Sequence, residues 1–368
     1  MRFLINASNL KAGGGIQVAQ SICSELGRMT NHRFFVLLST YINDIDIIYN
    51  DNTEVIKYDL NHTWNVVLFG RDKYLDDLIK EKNIDAVLTV FGPSIWSPRC
   101  PHLCGFARAQ IILKNSPYYK NRSIKERLIY SIWKWYFRKS SKIFYTENIY
   151  ISRLLEQFFR GIKVYTVTNY YNQIFDHVEK WKPSIRLPAF DGCTCLSVAS
   201  PYPHKNFKII TGIVRYLRGV HPNFNVRFVL TFKKEEMLVP EDVRDSFVFI
   251  GKVDVSECPY LYEQADIMFM PTLLECFTAT YPEAMRMGIP IVTTDLEFAK
   301  GLCGDAACYY SAVDETAAAE AIYKVANDKE YAKQLIDNGK KQLLTYDNYE
   351  QRAEKLIRIL ENIAKDYK

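Results

Sequence analysis

The chain has 368 residues, 48% apolar and 24% charged, a balance that excludes a disordered or fibrous protein. A formal charge of +5 makes no case for nucleic acid, nine irregularly spaced cysteines make no disulfide framework, and no apolar run reaches membrane-spanning length. The length exceeds one comfortable hydrophobic core, so two domains are expected.

The cysteines read as free thiols of a reducing cytoplasm, because Cys100 with Cys104 and Cys193 with Cys195 lack zinc spacing and a matching second pair. No metal is expected. Met1 to Asn6 reads as a strand rather than a secretory leader. A glycine-rich turn, Ala12 to Ile16, follows, and apolar residues then recur at helical spacing to about Met29. Gly13-Gly14-Gly15 is not the dinucleotide fingerprint, and no acidic residue directly follows the next strand, Phe34 to Leu38, which disfavours an oxidoreductase. Gly14 and Gly15 can instead let backbone amides approach a phosphate or sugar, or can simply form a tight turn.

Strand and helix signals alternate onward through Val55 to Tyr58, Asp76 to Glu81 and Ala86 to Val90, and His102 reads as a strand-end residue. Between Lys114 and Lys142 nine Lys or Arg stand against one acidic residue, Glu126, interleaved with aromatic rings. A helix is expected from Ser123 to Lys139, with Leu128, Ile132, Trp135 and Lys139 along one face. Anionic lipid headgroups suit this segment, with Trp133, Lys134, Arg138 and Lys139 as contacts. Its alternatives are a core helix with its lysines in water and a single-stranded nucleic acid surface. A strand at Ile143 to Asn148, a helix to Phe159 and a strand at Val164 to Asn169 end the first domain, and 172–191 reads as a connection.

The second domain opens with a strand, Cys195 to Ala199, a turn, Ser200 to Asn206, and a helix, Phe207 to Leu217. Lys205 in that turn can reach a diphosphate as a point charge. Strands are expected at Val226 to Phe232 and Val248 to Ile250, the second followed by Gly251-Lys252-Val253. Two short apolar runs, Asp266 to Pro271 and Ile289 to Thr294, read as buried parallel strands around one helix. Pro282 is tolerated only near a helix start, which places that start at about Thr278, and Gly288 with Pro290 marks its end. Glu275 then lies in the loop and Glu283 in the helix, both at the carboxyl edge of a parallel sheet, where α/β folds place ligands. The N–H groups of Phe277, Thr278 and Ala279 would receive a phosphate there.

Glu275, Phe277, Glu283, Ala284, Met285, Gly288 and Pro290 stand in the register E-x-F-x5-E-A-M-x2-G-x-P, which resembles the E-x7-E signature of retaining family 4 glycosyltransferases; Thr278 replaces the usual Gly. The resemblance implies the GT-B fold, an α/β architecture of two Rossmann-like domains facing each other across a cleft, with the C-terminal helix crossing back to the first domain. It implies boundaries of 1–175 for an acceptor-side domain, 190–345 for a nucleotide-sugar domain and 346–368 for that helix. A sugar would pass from a nucleoside diphosphate to an acceptor hydroxyl, in cell-surface polysaccharide or glycolipid assembly, with no cofactor or metal. Glu275 and Lys205 would be catalytic. Glu283, Cys276, Phe277, Thr278, Lys252, Val253, Gly14 and Gly15 would bind the donor. The sequence departs from the family at Ser200, where an Arg is usual, and at Phe106-Ala107-Arg108, where a histidine is usual. Those departures support one alternative, a weakly catalytic nucleotide-sugar-binding scaffold; a second, a sugar-nucleotide epimerase of the same fold, would need carboxylates and a histidine at sites where the sequence shows none. Expected partners are the donor, a carbohydrate or lipid-linked acceptor and an anionic membrane surface, with location in the cytoplasm or on the inner membrane face.

Overall fold

The computed structural model describes residues 1–11, 14–42, 50–60, 63–120 and 122–367, so Ala12 and Gly13 of the expected glycine turn lie outside it. The chain divides into two compact units, one of Met1–Ile112, Arg122–Asn169 and Asp347–Lys368, the other of Leu113–Asn121 and Tyr170–Tyr346.

The first unit is built on β1 (Arg2–Ala7), β2 (Arg33–Leu38), β3 (Thr53–Lys57), β4 (Ala86–Thr89), β5 (His102–Gly105), β6 (Ile143–Thr146) and β7 (Lys163–Thr166). They form one parallel sheet in the order β3-β2-β1-β4-β5-β6-β7, with the order reversing between β1 and β4. Both faces of β1 and β2 are buried, which is why those strands read as nearly continuous Phe, Leu, Ile and Val. Gly14 and Gly15 occupy the first turn of the Gly14–Gly27 helix, so the helix starts earlier than the periodicity suggested. A Cβ at Gly15 would lie 3.4 Å from Leu10, an ordinary contact, and Gly14 faces open space. The Tyr349–Tyr367 helix packs on the Gly14–Gly27 helix and on β4 of this unit. A buried arginine fixes it: Arg352 donates through Nη2 to Ser21 Oγ at 2.6 Å and through Nη1 to Asn169 Oδ1. Beside it, burial pushes the Glu147 carboxyl up to about 7 against the opposing pull of that guanidinium.

His102 is the first residue of β5 and is buried. Its Nδ1 donates to the Ser140 carbonyl at 2.8 Å and its Nε2 accepts from Thr89 Oγ1 at 2.8 Å. Burial lowers it to about 4, so the imidazole is a neutral structural link with both nitrogens occupied.

The second unit contains β8 (Cys193–Ser197), β9 (Val226–Leu230), β10 (Phe247–Phe249), β11 (Ile267–Met270), β12 (Ile291–Thr294) and β13 (Ala307–Tyr310). The order is β10-β9-β8-β11-β12-β13, again parallel, and it reverses between β8 and β11. Helices Ile209–Val220 and Glu315–Asn327 cover one face, Ile210, Ile213, Val214 and Leu217 meeting Ala318 and Ile322 in the core. The stretch 172–191, expected as a connection, makes hydrogen bonds within this unit: Trp181 Nε1 donates to the Ile174 carbonyl at 2.7 Å and Gln264 Nε2 to the Ile185 carbonyl at 2.9 Å. Hydrogen bonds of this kind leave no apolar periodicity, so hydrophobic spacing could not reveal them.

Candidate active site

The second sheet's reversal puts the loops after β8 and β11 side by side, since Cys195 pairs with Ile267 and Leu196 with Met268. Such a point is where a crevice opens beyond the strand ends of a doubly wound sheet. Lys205 closes a short turn, Pro203–Lys205, after β8, and Glu275 stands in the loop after β11. Their side chains meet, Nζ to Oε1 at 2.5 Å, with only 11% and 12% of their surfaces exposed. Thr272 Oγ1 donates to the same carboxylate oxygen at 2.8 Å.

One backbone bond joins the two loops, and two side-chain bonds hold the loop after β11 further. Leu273 N–H donates to the His204 carbonyl at 2.8 Å, Ser116 Oγ to the Leu273 carbonyl at 2.6 Å, and Thr294 Oγ1 to the Thr272 carbonyl at 2.9 Å. Asn206 makes the turn possible by taking a left-handed conformation at φ 56°, which Asn tolerates better than most residues. His204, beside Lys205, stacks on Tyr202 at 5.7 Å with 7° between planes and meets the edge of Tyr118 at 5.8 Å. Neither ring nitrogen is hydrogen-bonded within the protein among the described residues. Burial lowers its pKa, and the adjacent Glu275 carboxylate only partly opposes that. Sequence reading passed over His204; its signal was its place between Pro203 and Lys205 in a strand-to-helix turn.

The helix after β11 is Thr280–Met287, with Ala279 as a cap that offers no side-chain acceptor. The helix therefore starts later than Pro282 suggested, and Phe277 and Thr278 precede it instead of lying in its first turn. Among the described residues no hydrogen bond engages their N–H groups, while the Thr278 and Thr280 hydroxyls bond at 2.8 Å. Phe277 turns its ring edge to Tyr346 at 6.2 Å, and Cys276 is buried. Gly288 ends the helix at φ 69°, the left-handed conformation that favours glycine there.

Glu283 lies inside the helix and is buried. Tyr262 Oη donates to its Oε2 at 2.9 Å, which favours the carboxylate, yet desolvation is larger and pushes the carboxyl up to about 7. Tyr262 is a second residue that sequence reading assigned no role. Lys252 and Val253 follow β10, two strands away from β8, and Gly251 before them has φ 75°. Gly14, Gly15, Trp133, Lys134, Arg138 and Lys139 all belong to the first unit. Among the described residues no group of three or more His, Cys, Asp or Glu could hold a metal ion.

The family model described as "Glycosyl transferases group 1" matches residues 191–342, so the second unit carries that domain. An uncharacterized glycosyltransferase of Haemophilus influenzae is 30% identical over 115 residues, 30% of this chain and 32% of that one. The O-antigen chain mannosyltransferase RfbU of Salmonella typhimurium is 24% identical over 135 residues, 35% of this chain and 37% of its own. The matched stretches thus span about a third of each curated relative. Among solved structures, sucrose-phosphate synthase from Thermosynechococcus elongatus superposes with a TM-score of 0.71 at 14% identity, covering 99% of both chains. HepE from Anabaena, solved with UDP and glucose, gives 0.66 at 12% identity over 98% of this chain and 99% of that one. WaaG, a glycosyltransferase of lipopolysaccharide biosynthesis, gives 0.63 at 15% identity over 98% and 99%. At such identities the likeness establishes the fold: two parallel-sheet, Rossmann-like units of the GT-B kind.

Proposed function

We propose that this protein is a retaining glycosyltransferase of the family 4 type, moving a hexose from a nucleoside-diphosphate donor to an acceptor hydroxyl of a growing polysaccharide or glycolipid. The observation that carries this reading is the Lys205–Glu275 pair at the switch point of the second sheet. A largely buried ion pair is a poor stability device, since desolvation can exceed the Coulombic gain. At a ligand-binding edge, however, it holds one cation and one carboxylate ready for a polyanionic sugar. In this scheme the Lys205 ammonium moves onto the diphosphate, and Glu275, released from it, accepts hydrogen bonds from the transferred sugar's hydroxyls.

Charge on the diphosphate grows as the glycosidic bond breaks, so a cation aimed at it stabilises the transition state more than the ground state. The unengaged amides of Phe277 and Thr278 add donors for the same oxygens, and His204, neutral at pH 7 and next to Lys205 in the chain, adds a ring N–H. That third contribution answers for the arginine absent at Ser200. Glu283 takes the ribose hydroxyls. Lys252 and Val253 flank the base. No divalent metal is needed by this scheme, because the cation and the amides neutralise the leaving group. Incubating the protein with UDP- and GDP-hexoses and an acceptor extract, and following nucleoside diphosphate release with anomeric analysis of the product, tests it. Inverted configuration in the product overturns the retaining assignment, and donor binding without turnover favours a scaffold subunit.

A further inference from the structure

The Ile124–Ser140 helix of the first unit is capped by a reciprocal Ser123–Glu126 box and carries apolar residues on two opposite sides. Its inner side buries Phe137 against Phe106 and Phe144. Its outer side carries Ile124, Leu128, Ile132 and Trp135, which at about 100° per residue fall in one row and are 85%, 63%, 45% and 46% exposed. Lys125 borders that row on one side, Arg127 and Arg138 on the other, and all are exposed. The row continues onto a neighbouring turn, Asn65–Phe69. Lys139, lying over the Trp135 ring at 4.6 Å, donates to the Leu68 carbonyl at 2.6 Å, and Trp64 and Phe69 there are 78% and 64% exposed.

We infer that this row is a docking face for an anionic lipid bilayer, entered by its apolar side chains and flanked by its cations. Charge decides among occupants. An isologous contact with a second copy would set the same face against itself, and 114–142 holds nine Lys or Arg against one acid. Like charges would then oppose one another, whereas anionic headgroups neutralise them and acyl chains accept the row between. Two tryptophans at the edge fit the headgroup level, where an apolar ring with one N–H donor is best placed. The cations expected to make the contact are partly occupied. Lys134 and Arg138 lie over the rings of Phe158 and Phe159 at 4.5 and 5.4 Å, and Trp133 is covered by the Arg108 guanidinium at 4.3 Å. The apolar row therefore carries the insertion, and the docking does not depend on any catalytic role.

Sedimentation with phosphatidylcholine vesicles, with and without phosphatidylglycerol, tests the inference on the full chain. Wild type should partition onto the anionic vesicles, with a blue shift of tryptophan emission. The triple variant Leu128→Ser, Ile132→Ser and Trp135→Ser should lose about tenfold or more in partitioning, since each buried methylene counts toward binding. The pair Lys125→Glu and Arg127→Glu should lose binding progressively less as salt rises. Melting temperature should stay unchanged in the charge pair, whose side chains are exposed, and fall only slightly in the triple variant, since Ile132 and Trp135 are about half exposed. Absence of vesicle binding by wild type overturns the inference. So does equal binding by the triple variant, and so does light scattering that shows a dimer abolished by that variant without vesicle binding. Retention of single-stranded RNA instead of vesicles also overturns it.

Discussion

Replacing Glu283 by Gln should raise stability and weaken nucleotide binding in the same protein, each effect with its own pH dependence. Burial lifts this carboxyl from 4.5 to about 7, so ionising it in the folded protein is unfavourable. With the folded pKa above the unfolded one, the penalty is absent below 4.5, grows between 4.5 and 7, and is complete above 7. At about 1.36 kcal/mol per pH unit the full penalty is about 3 kcal/mol, an upper value because a denatured chain keeps some structure. Gln has the same shape, keeps an acceptor for the Tyr262 hydroxyl and cannot ionise. The variant should therefore melt several degrees above wild type at pH 8, at about 2–4 °C per kcal/mol for a domain of this size, and level with it at pH 4.5. Nucleoside diphosphate affinity should fall by about 1.5–3 kcal/mol, the range for hydrogen bonds to a charged group. Wild-type affinity should rise as pH increases through 7, because ribose hydroxyls favour the carboxylate. Calorimetric melting and nucleotide titration at pH 5, 7 and 8 check all three. A variant destabilised at every pH, or one that binds nucleotide as wild type does, refutes the reasoning.

Lys205→Ala should lower kcat more than it weakens donor binding, and wild-type transfer should persist in EDTA; loss of turnover on chelation would sink the metal-free scheme. His204→Ala should cut kcat/KM while leaving the melting temperature within a degree or two, and His204→Arg should restore part of the loss; a variant that turns over like wild type removes His204 from the site. Gly288→Ala should cost about 1–2 kcal/mol purely through its backbone, since an added Cβ meets nothing closer than 3.9 Å at Ile336, and donor affinity should be unchanged. Denaturant midpoints and nucleotide titration read that variant.

What the sequence revealed and what it concealed divide along a physical line. Gly288 and Pro290 are local stop signals, and the helix ends where they stand. Its start has no such marker: the cap is Ala279, without a side-chain acceptor, and Pro282 only bounds the start from one side. The Lys205–Glu275 contact is non-local, created by β8 lying against β11 while β9 and β10, which intervene in sequence, lie on the other side of β8. No spacing rule carries that information. The basic helix misleads in a different way. Periodicity found the row through Leu128, Ile132 and Trp135, but an apolar row normally faces a core. Here Phe137 and its neighbours claim the inward side and the row faces water.

The two glutamates of the signature register have opposite surroundings, and that difference bears on mechanism. Glu275 touches an ammonium and a hydroxyl, so its charge is balanced within the protein. Glu283 has the Tyr262 hydroxyl and no cation among its named partners, so burial holds much of it neutral near pH 7. A donor that draws Lys205 onto its diphosphate frees Glu275 from the ammonium, and sugar hydroxyls supply what the ammonium gave up. A donor that brings ribose hydroxyls to Glu283 favours its ionisation and releases a proton below pH 7. One carboxylate thus exchanges partners while the other changes charge on binding. UDP-hexose, whose diphosphate has no proton to lose near pH 7, should show this release, free hexose should release none, and Glu283→Gln should abolish it. Isothermal titration in two buffers of different ionisation enthalpy measures that release directly, and an equal value in wild type and variant would detach Glu283 from the ribose.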